Sequence, residues 1–79
     1  MDTLLDLKGL RCPLPALKAR KAMKPVAPGA SLTLLATDPA TMRDIPALCE
    51  AAGFALESAT EEAGGVFRFR IRQPGSSAA

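Results

Sequence analysis

The stretch Gly9-Leu10-Arg11-Cys12-Pro13-Leu14-Pro15 sets one cysteine at the junction between an alternating segment and a helical one. Proline suits the first helical position, because that residue needs no N–H donor and its φ is already near the helical value. The spacing predicts Pro13 as the first helical residue, Cys12 as the N-cap, and Pro15 as the third residue, still inside the first turn. A first turn leaves four backbone N–H groups without helical partners. Two prolines here reduce the donors near the sulfur to the N–H groups of Cys12 and Leu14. The positive end of the helix dipole adds about 0.3–1 kcal/mol for an exposed anion. Arg11 lies beside the thiol and Lys18 one turn further in, so the expectation is a site that favours the thiolate. The competing reading is a small buried apolar cysteine. An arginine and two prolines as neighbours argue against it.

Outward from this stretch, Leu4 to Lys8 reads as a short strand, with Leu5 and Leu7 alternating with Asp6 and Lys8 and with Gly9 ending it. The thiol then stands at the C-terminal end of a strand, a common place for functional groups in α/β folds. The helix that follows is expected from about Pro13 to Lys24, stopped by Pro25, Pro28 and Gly29. On a helix turning about 100° per residue, Ala16, Ala19 and Met23 share one arc, with Ala22 at its edge. Such small residues let the helix lie close on a sheet. Leu14, Leu17, Lys18, Lys21 and Lys24 fall roughly opposite. Two leucines on a lysine-rich face beginning beside Cys12 read as a partner-docking surface formed by Leu14, Leu17 and Lys21, with Lys18 beside the thiol. The alternative is a rotated helix that buries Leu17, and Lys21 and Lys24 also suit the negative helix end without any functional role.

Ser31 to Ala36 is a nearly continuous apolar run and reads as a central strand, with Leu32, Leu34 and Ala36 on one face. Asp38 is expected to cap a turn with Pro39 at its first position. A second helix begins at Thr41 or Asp44 and ends at Ala52. Because proline breaks helix interiors, its regular part is expected to start with Asp44 as N-cap, placing Pro46 in the first turn. Ile45, Leu48, Cys49 and Ala52 then form a buried stripe, and Gly53 terminates the helix. Cys49 reads as a core residue; the alternative is a resolving thiol for Cys12. Phe54 to Glu61 and Val66 to Arg72 read as a hairpin turning at Glu62-Ala63-Gly64-Gly65. In the last strand Phe67, Phe69 and Ile71 point inward and Arg68, Arg70 and Arg72 outward. Cross-strand pairing with Glu57 and Glu61 explains the arginine row; an acidic partner or an RNA backbone is the other explanation. The expected architecture is a two-layer α/β sandwich (α+β), in order β-α-β-α-β-β, with a four-stranded mixed sheet and two helices on one face. Strand order stays open.

The chain has 79 residues, room for a single domain over 1–79, with an ordered core over about 4–72 and a loose tail over 73–79. At 48% apolar and 23% charged residues it is globular, and a net charge of +2 is too small to argue for nucleic acid. No basic segment leads into an apolar run and no apolar stretch approaches ~20 residues, so neither a signal peptide nor direct membrane contact is expected. Two cysteines fit a reactive thiol in a reducing cytoplasm better than a disulfide. The absence of histidine removes Cys–His dyads and histidine metal ligands, and two distant cysteines do not make a zinc site. No metal or organic cofactor is expected.

The order of elements and the motifs together resemble the TusA-like small sulfur carriers, which include SirA-like proteins. That family is similar in its two-layer sandwich and in a Cys-Pro-x-Pro box opening the first helix, here Cys12-Pro13-Leu14-Pro15. Leu5-Asp6 and Gly9-Leu10-Arg11 precede the box as in the family. Asp38-Pro39 and Asp44-Ile45-Pro46 match its later blocks, and Cys49 and Gly53 fall where members often carry them. Phe54 departs from the histidine that many members carry after the glycine, which bears on the partner rather than on the carrier role. The resemblance covers about residues 4–72. It implies a sulfurtransferase acting as a sulfur carrier through a persulfide on Cys12. The donor would be a cysteine desulfurase or rhodanese-like protein, and the acceptor a cysteine of a downstream protein. Arg11, Pro13, Pro15 and Lys18 would support the site. The end use would be tRNA thiolation, molybdenum-enzyme maturation or sulfur oxidation. The rival from a different class is an RNA-binding or regulatory module using Arg68, Arg70 and Arg72. The lack of Tyr and Trp for base stacking, the glutamates facing the arginines and the small charge weigh against direct nucleic-acid contact. A thiol–disulfide oxidoreductase lacks its Cys-x-x-Cys pair.

Overall fold

The computed structural model describes residues 3–74. Its elements are β1 (Thr3–Leu7), α1 (Leu14–Met23), β2 (Ser31–Ala36), α2 (Thr41–Ala52), β3 (Ala55–Glu62) and β4 (Val66–Arg72). They form the expected two-layer sandwich of a four-stranded mixed sheet with both helices on one face. The strand order, open from the sequence, is β1-β2-β4-β3, with β1 parallel to β2 and β4 antiparallel to both of its neighbours. β2 is thus central, as its apolar run predicts.

The core follows from the alternation in β2 and β4. Leu32 pairs with Ile71, Leu34 with Phe69 and Ala36 with Phe67, so one face of the sheet centre is entirely apolar. Met23 and Ala19 of α1 and Ile45 and Cys49 of α2 close over it. Burying a Leu, Ile, Met or Phe side chain stabilises by about 1.5–3 kcal/mol each. The small-residue arc of α1 meets the sheet as expected: Ala19 and Met23 are buried, Ala16 and Ala22 half-buried. Leu17 remains 57% exposed and Leu14 44%, so the helix is not rotated to bury Leu17.

Four expectations about the elements need correction, the first being β1, which runs Thr3–Leu7 rather than Leu4 to Lys8 because its pairing with β2 begins at Thr3 opposite Leu32. Helix α1 starts one residue late: Pro13 is the N-cap and Pro15 the second helical residue. The Leu14 N–H donates to the Arg11 carbonyl at 2.8 Å, closing a turn ahead of the helix, and the Cys12–Pro13 peptide is cis. Helix α2 starts at Thr41, not Asp44, and carries Pro46 inside. Asp38 and Pro39 nucleate it upstream. The Asp38 carboxylate accepts from Ala40 N–H at 3.0 Å, and its carbonyl accepts the Thr41 N–H and hydroxyl at 3.0 and 2.6 Å. By Asp44 the helix already runs, its N–H reaching the Ala40 carbonyl at 2.8 Å. Finally, β3 runs from Ala55 to Glu62 and is irregular between Leu56 and Ser58. Such a bulge breaks the two-residue period, so Leu56 and Ala59, not Leu56 and Ser58, share the face of Ile71 and Phe69.

The bulge also decides the arginine row. Glu57 accepts from Arg70 Nε and Arg72 Nε, each at 2.9 Å, and from the Ser31 hydroxyl at 3.3 Å. Arg68 pairs with Glu62 at 2.7 Å rather than with the expected Glu61. Exposed pairs of this kind add little to stability, because water and salt screen them. The β3–β4 turn needs two left-handed residues, and Gly64 and Gly65 supply them at φ +82° and +75°. Of the expected tail, Gln73 donates to the carbonyls of Ala30 and Met23 and accepts from Gly29 N–H; 75–79 lie outside the described residues. No helix among the described residues is long and apolar enough to cross a membrane.

Candidate functional site

β1 and β2 run parallel and end level, Leu7 opposite Ala36. The loops leaving them therefore emerge side by side. Gly9 N–H donates to Thr37 Oγ1 at 2.9 Å and joins the two loops at their bases. The first loop carries Cys12 to α1, and the second carries Asp38 to α2. Both helix starts thus meet at one end of the sheet.

Cys12 is exposed and its thiol free. Its N–H donates to Asp38 Oδ2 at 2.6 Å, and its Sγ–H donates to Asp44 Oδ2 at 2.6 Å. Asp38 therefore holds both loops at once, with Oδ1 on Ala40 and Oδ2 on Cys12. The other oxygen of Asp44 accepts from Arg43 Nε at 3.2 Å. This arrangement overturns the expected electrostatics. The two donors expected near the sulfur are both engaged, Cys12 N–H by Asp38 and Leu14 N–H by the Arg11 carbonyl. The Asp44 hydrogen bond, partial desolvation and the negative charges of Asp44 and Asp38 push the Cys12 thiol above its ordinary pKa, with Arg43 opposing. The charges that act most on the thiol are those of Asp44, Asp38 and Arg43 rather than the expected Arg11 and Lys18, and Arg11 helps to lower Asp38. Asp38 is held below the usual carboxylate range chiefly by the N–H groups of Cys12 and Ala40, and Asp44 chiefly by the Cys12 thiol and Arg43.

The remaining sequence-selected residues lie on the Cys12 loop and along α1. Arg11, Pro13, Leu14, Leu17, Lys18 and Lys21 are exposed, and Pro15 is buried in the first turn of α1. An open cleft of about 450 Å³ beside the thiol loop is lined by Gly9, Leu10, Arg11, Thr37, Asp38 and Pro39. Cys49 is 3% exposed in the core, where burial pushes its thiol up. The described residues hold no group of three or more His, Cys, Asp or Glu that would ligate a metal ion. Sequence reasoning missed Asp44 as a partner of the thiol. The signal available was its position six residues after Asp38, in the block that opens the second helix.

The pH dependence has a definite sign. A thiol raised in the folded chain stabilises the fold at pH values below the unfolded thiol's pKa. That contribution is lost as pH rises through the folded value. Asp38 and Asp44, being lowered, stabilise above the unfolded carboxylate pKa, and their contribution is lost as pH falls through the folded values. Iodoacetamide alkylation of Cys12, followed by peptide mapping across pH, is expected to show a midpoint above that of the urea-unfolded chain. A midpoint at or below the unfolded one would remove the Asp44 contact from the solution structure.

A two-layer sandwich that presents a free thiol where two parallel strands end defines a small thiol-bearing α/β protein. The family model described as sulfurtransferase TusA matches residues 3–73, and the chain belongs to that family. It is similar to the sulfur carrier protein TusA of Pseudomonas paraeruginosa, with 44% identity over 64 residues and 81% of each chain covered. The protein of the same description from Pseudomonas aeruginosa gives the same figures. Among solved structures, a SirA-like protein from Desulfitobacterium hafniense superposes with a TM-score of 0.80 at 24% identity, covering 94% of this chain and 99% of that one. That likeness concerns the fold.

Proposed function

We propose that this protein is a sulfur carrier: Cys12 accepts sulfane sulfur as a persulfide and passes it to a cysteine of a partner protein. The observation that carries this reading is the exposed, free Cys12 in the Cys-Pro-x-Pro box of a chain belonging to a sulfurtransferase family. Transfer between proteins needs a thiol that a second protein can approach to within bonding distance. The exposed Leu14, Leu17, Lys18 and Lys21 of α1, the helix that follows the thiol in the chain, suit such docking, the leucines by apolar contact and the lysines by steering. The donor is a cysteine desulfurase or a rhodanese-like protein. The acceptor belongs to tRNA thiolation, molybdenum-enzyme maturation or sulfur oxidation, and the cytoplasm is the compartment that keeps the thiol reduced. The RNA-binding alternative loses its main support, because Glu57 and Glu62 pair with the arginine row.

The test is the intact mass of the purified chain after incubation with a cysteine desulfurase and cysteine, without reductant. The expected result is a gain of one or more sulfur atoms, mapped to Cys12 and removed by reductant. No gain with any desulfurase or rhodanese-type donor would end the carrier reading.

A further inference from the structure

The carrier reading leaves one group at the site without a role. Asp44 Oδ2 touches the reacting sulfur itself, at 2.6 Å, while Arg43 holds Oδ1 at 3.2 Å. We propose that Asp44 is the proton relay of this site, taking the Cys12 proton as the sulfur attacks a persulfide and returning it when Cys12 leaves. The inference rests on the sulfur-carrier reading above and adds to it a second reacting residue.

No other base in the site fits that task. The chain has no histidine. Both carboxylate oxygens of Asp38 accept backbone N–H groups, those of Cys12 and Ala40. Arg11 and Lys18 are cations with no lone pair to offer at neutral pH. Asp44 is only 23% exposed at its side chain, so it is partly screened from water and directed at the thiol. The Arg43 contact favours its charged form, which is the form that accepts a proton. The charged groups bearing most on the thiol are Asp44, Asp38 and Arg43, with Arg11 acting on Asp38.

In charging, Cys12 meets a persulfide R–S–S–H. The thiol proton moves from Sγ to Asp44 Oδ2, and the freed sulfur pair forms a bond to the outer sulfur. The old S–S bond breaks with its pair on the donor sulfur, and Asp44 passes the proton to that leaving thiolate. The products are R–SH and Cys12–S–S–H, and no external oxidant or reductant is consumed. Discharge runs the other way. The acceptor thiol gives its proton to Asp44 Oδ2 and attacks the outer sulfur, the S–S bond to Cys12 breaks with its pair on Cys12 Sγ, and Asp44 passes that proton to the leaving sulfur. At rest, the same contact keeps the proton on sulfur and restrains stray alkylation or oxidation.

Asp44→Asn separates the two effects, because they have opposite signs. Without the carboxylate, iodoacetamide alkylation of Cys12 at neutral pH is expected to rise several-fold and its pH midpoint to fall. Sulfur uptake from glutathione persulfide, followed by intact mass, is expected to slow by on the order of 10²-fold, the low end of what general acid–base catalysis contributes. Asp44→Glu is expected to recover part of the uptake. Circular dichroism confirms folding; if the asparagine variant does not fold, Asp44→Ser takes its place with the same readouts. Uptake and alkylation rising together would reduce Asp44 to a restraint on the thiol and overturn the relay. Both rates unchanged would overturn it as well. A wild-type chain that takes sulfur from glutathione persulfide but from no protein donor would end the carrier reading and leave the relay standing. A wild-type chain that takes none from either would overturn both.

Discussion

Cys12→Ser is expected to abolish sulfur acceptance and leave the fold in place. The side chain is exposed, so no core volume changes. A serine hydroxyl donates to a carboxylate as a thiol does, and the backbone N–H still reaches Asp38. Surface changes away from packing contacts usually stay within about 0.5 kcal/mol, and the urea midpoint should move by no more than that implies. The chemistry, in contrast, is lost outright. The hydroxyl is a far weaker acid than a thiol and forms no S–S bond to hold sulfane sulfur. The measurement is the sulfur mass increment of wild type and variant side by side, together with their urea transitions. A persisting increment would move the chemistry to Cys49. A collapse in stability would mean that the Cys12 hydrogen bonds anchor the sandwich.

The largest effect on stability is expected from Phe69→Ala. Phe69 has no exposure, sits on the inner strand β4, and pairs with Leu34 on one side and Ala59 on the other. Truncating a buried phenylalanine costs about 3–5 kcal/mol, as transfer energy plus the cavity left behind. A domain of this size has about 5–15 kcal/mol in total, so the variant should be barely folded at 37 °C. Urea or thermal unfolding checks this. A loss below about 1 kcal/mol would mean that the β2–β4 face opposite the helices, not the face beneath them, holds the core.

The elements legible in the sequence are those whose pattern is local. β2 and β4 have the predicted boundaries because Leu32, Leu34 and Ala36, and Phe67, Phe69 and Ile71, repeat every second residue. β3 was less legible, since a bulge at Leu56–Ser58 shifts which residues face inward and leaves no composition mark. At the site, Cys12 and its box were legible because proline spacing is read within one turn of chain. Asp44 was not. Treating Pro46 as a barrier to helix made Asp44 the N-cap, which engages its carboxylate with backbone N–H groups. The Asp38–Pro39 turn starts the helix earlier, places Asp44 within its first turn, and leaves the carboxylate for the thiol. The thiol's raised pKa then follows from two residues 26 and 32 positions away, a separation over which no local pattern carries information.

That separation ties chemistry to biogenesis. Cys12 is made before the carboxylate that its thiol contacts, which belongs to α2, on the far side of a complete β1-α1-β2 crossover. A nascent, clipped or unfolded copy that contains Cys12 without a docked α2 carries a cysteine of ordinary acidity. Only a copy that has laid β2 beside β1 and seated both helices holds the sulfur in its guarded state. The thiol's reactivity is therefore a built-in report on assembly. A pulse of alkylating agent would mark immature copies faster than finished ones.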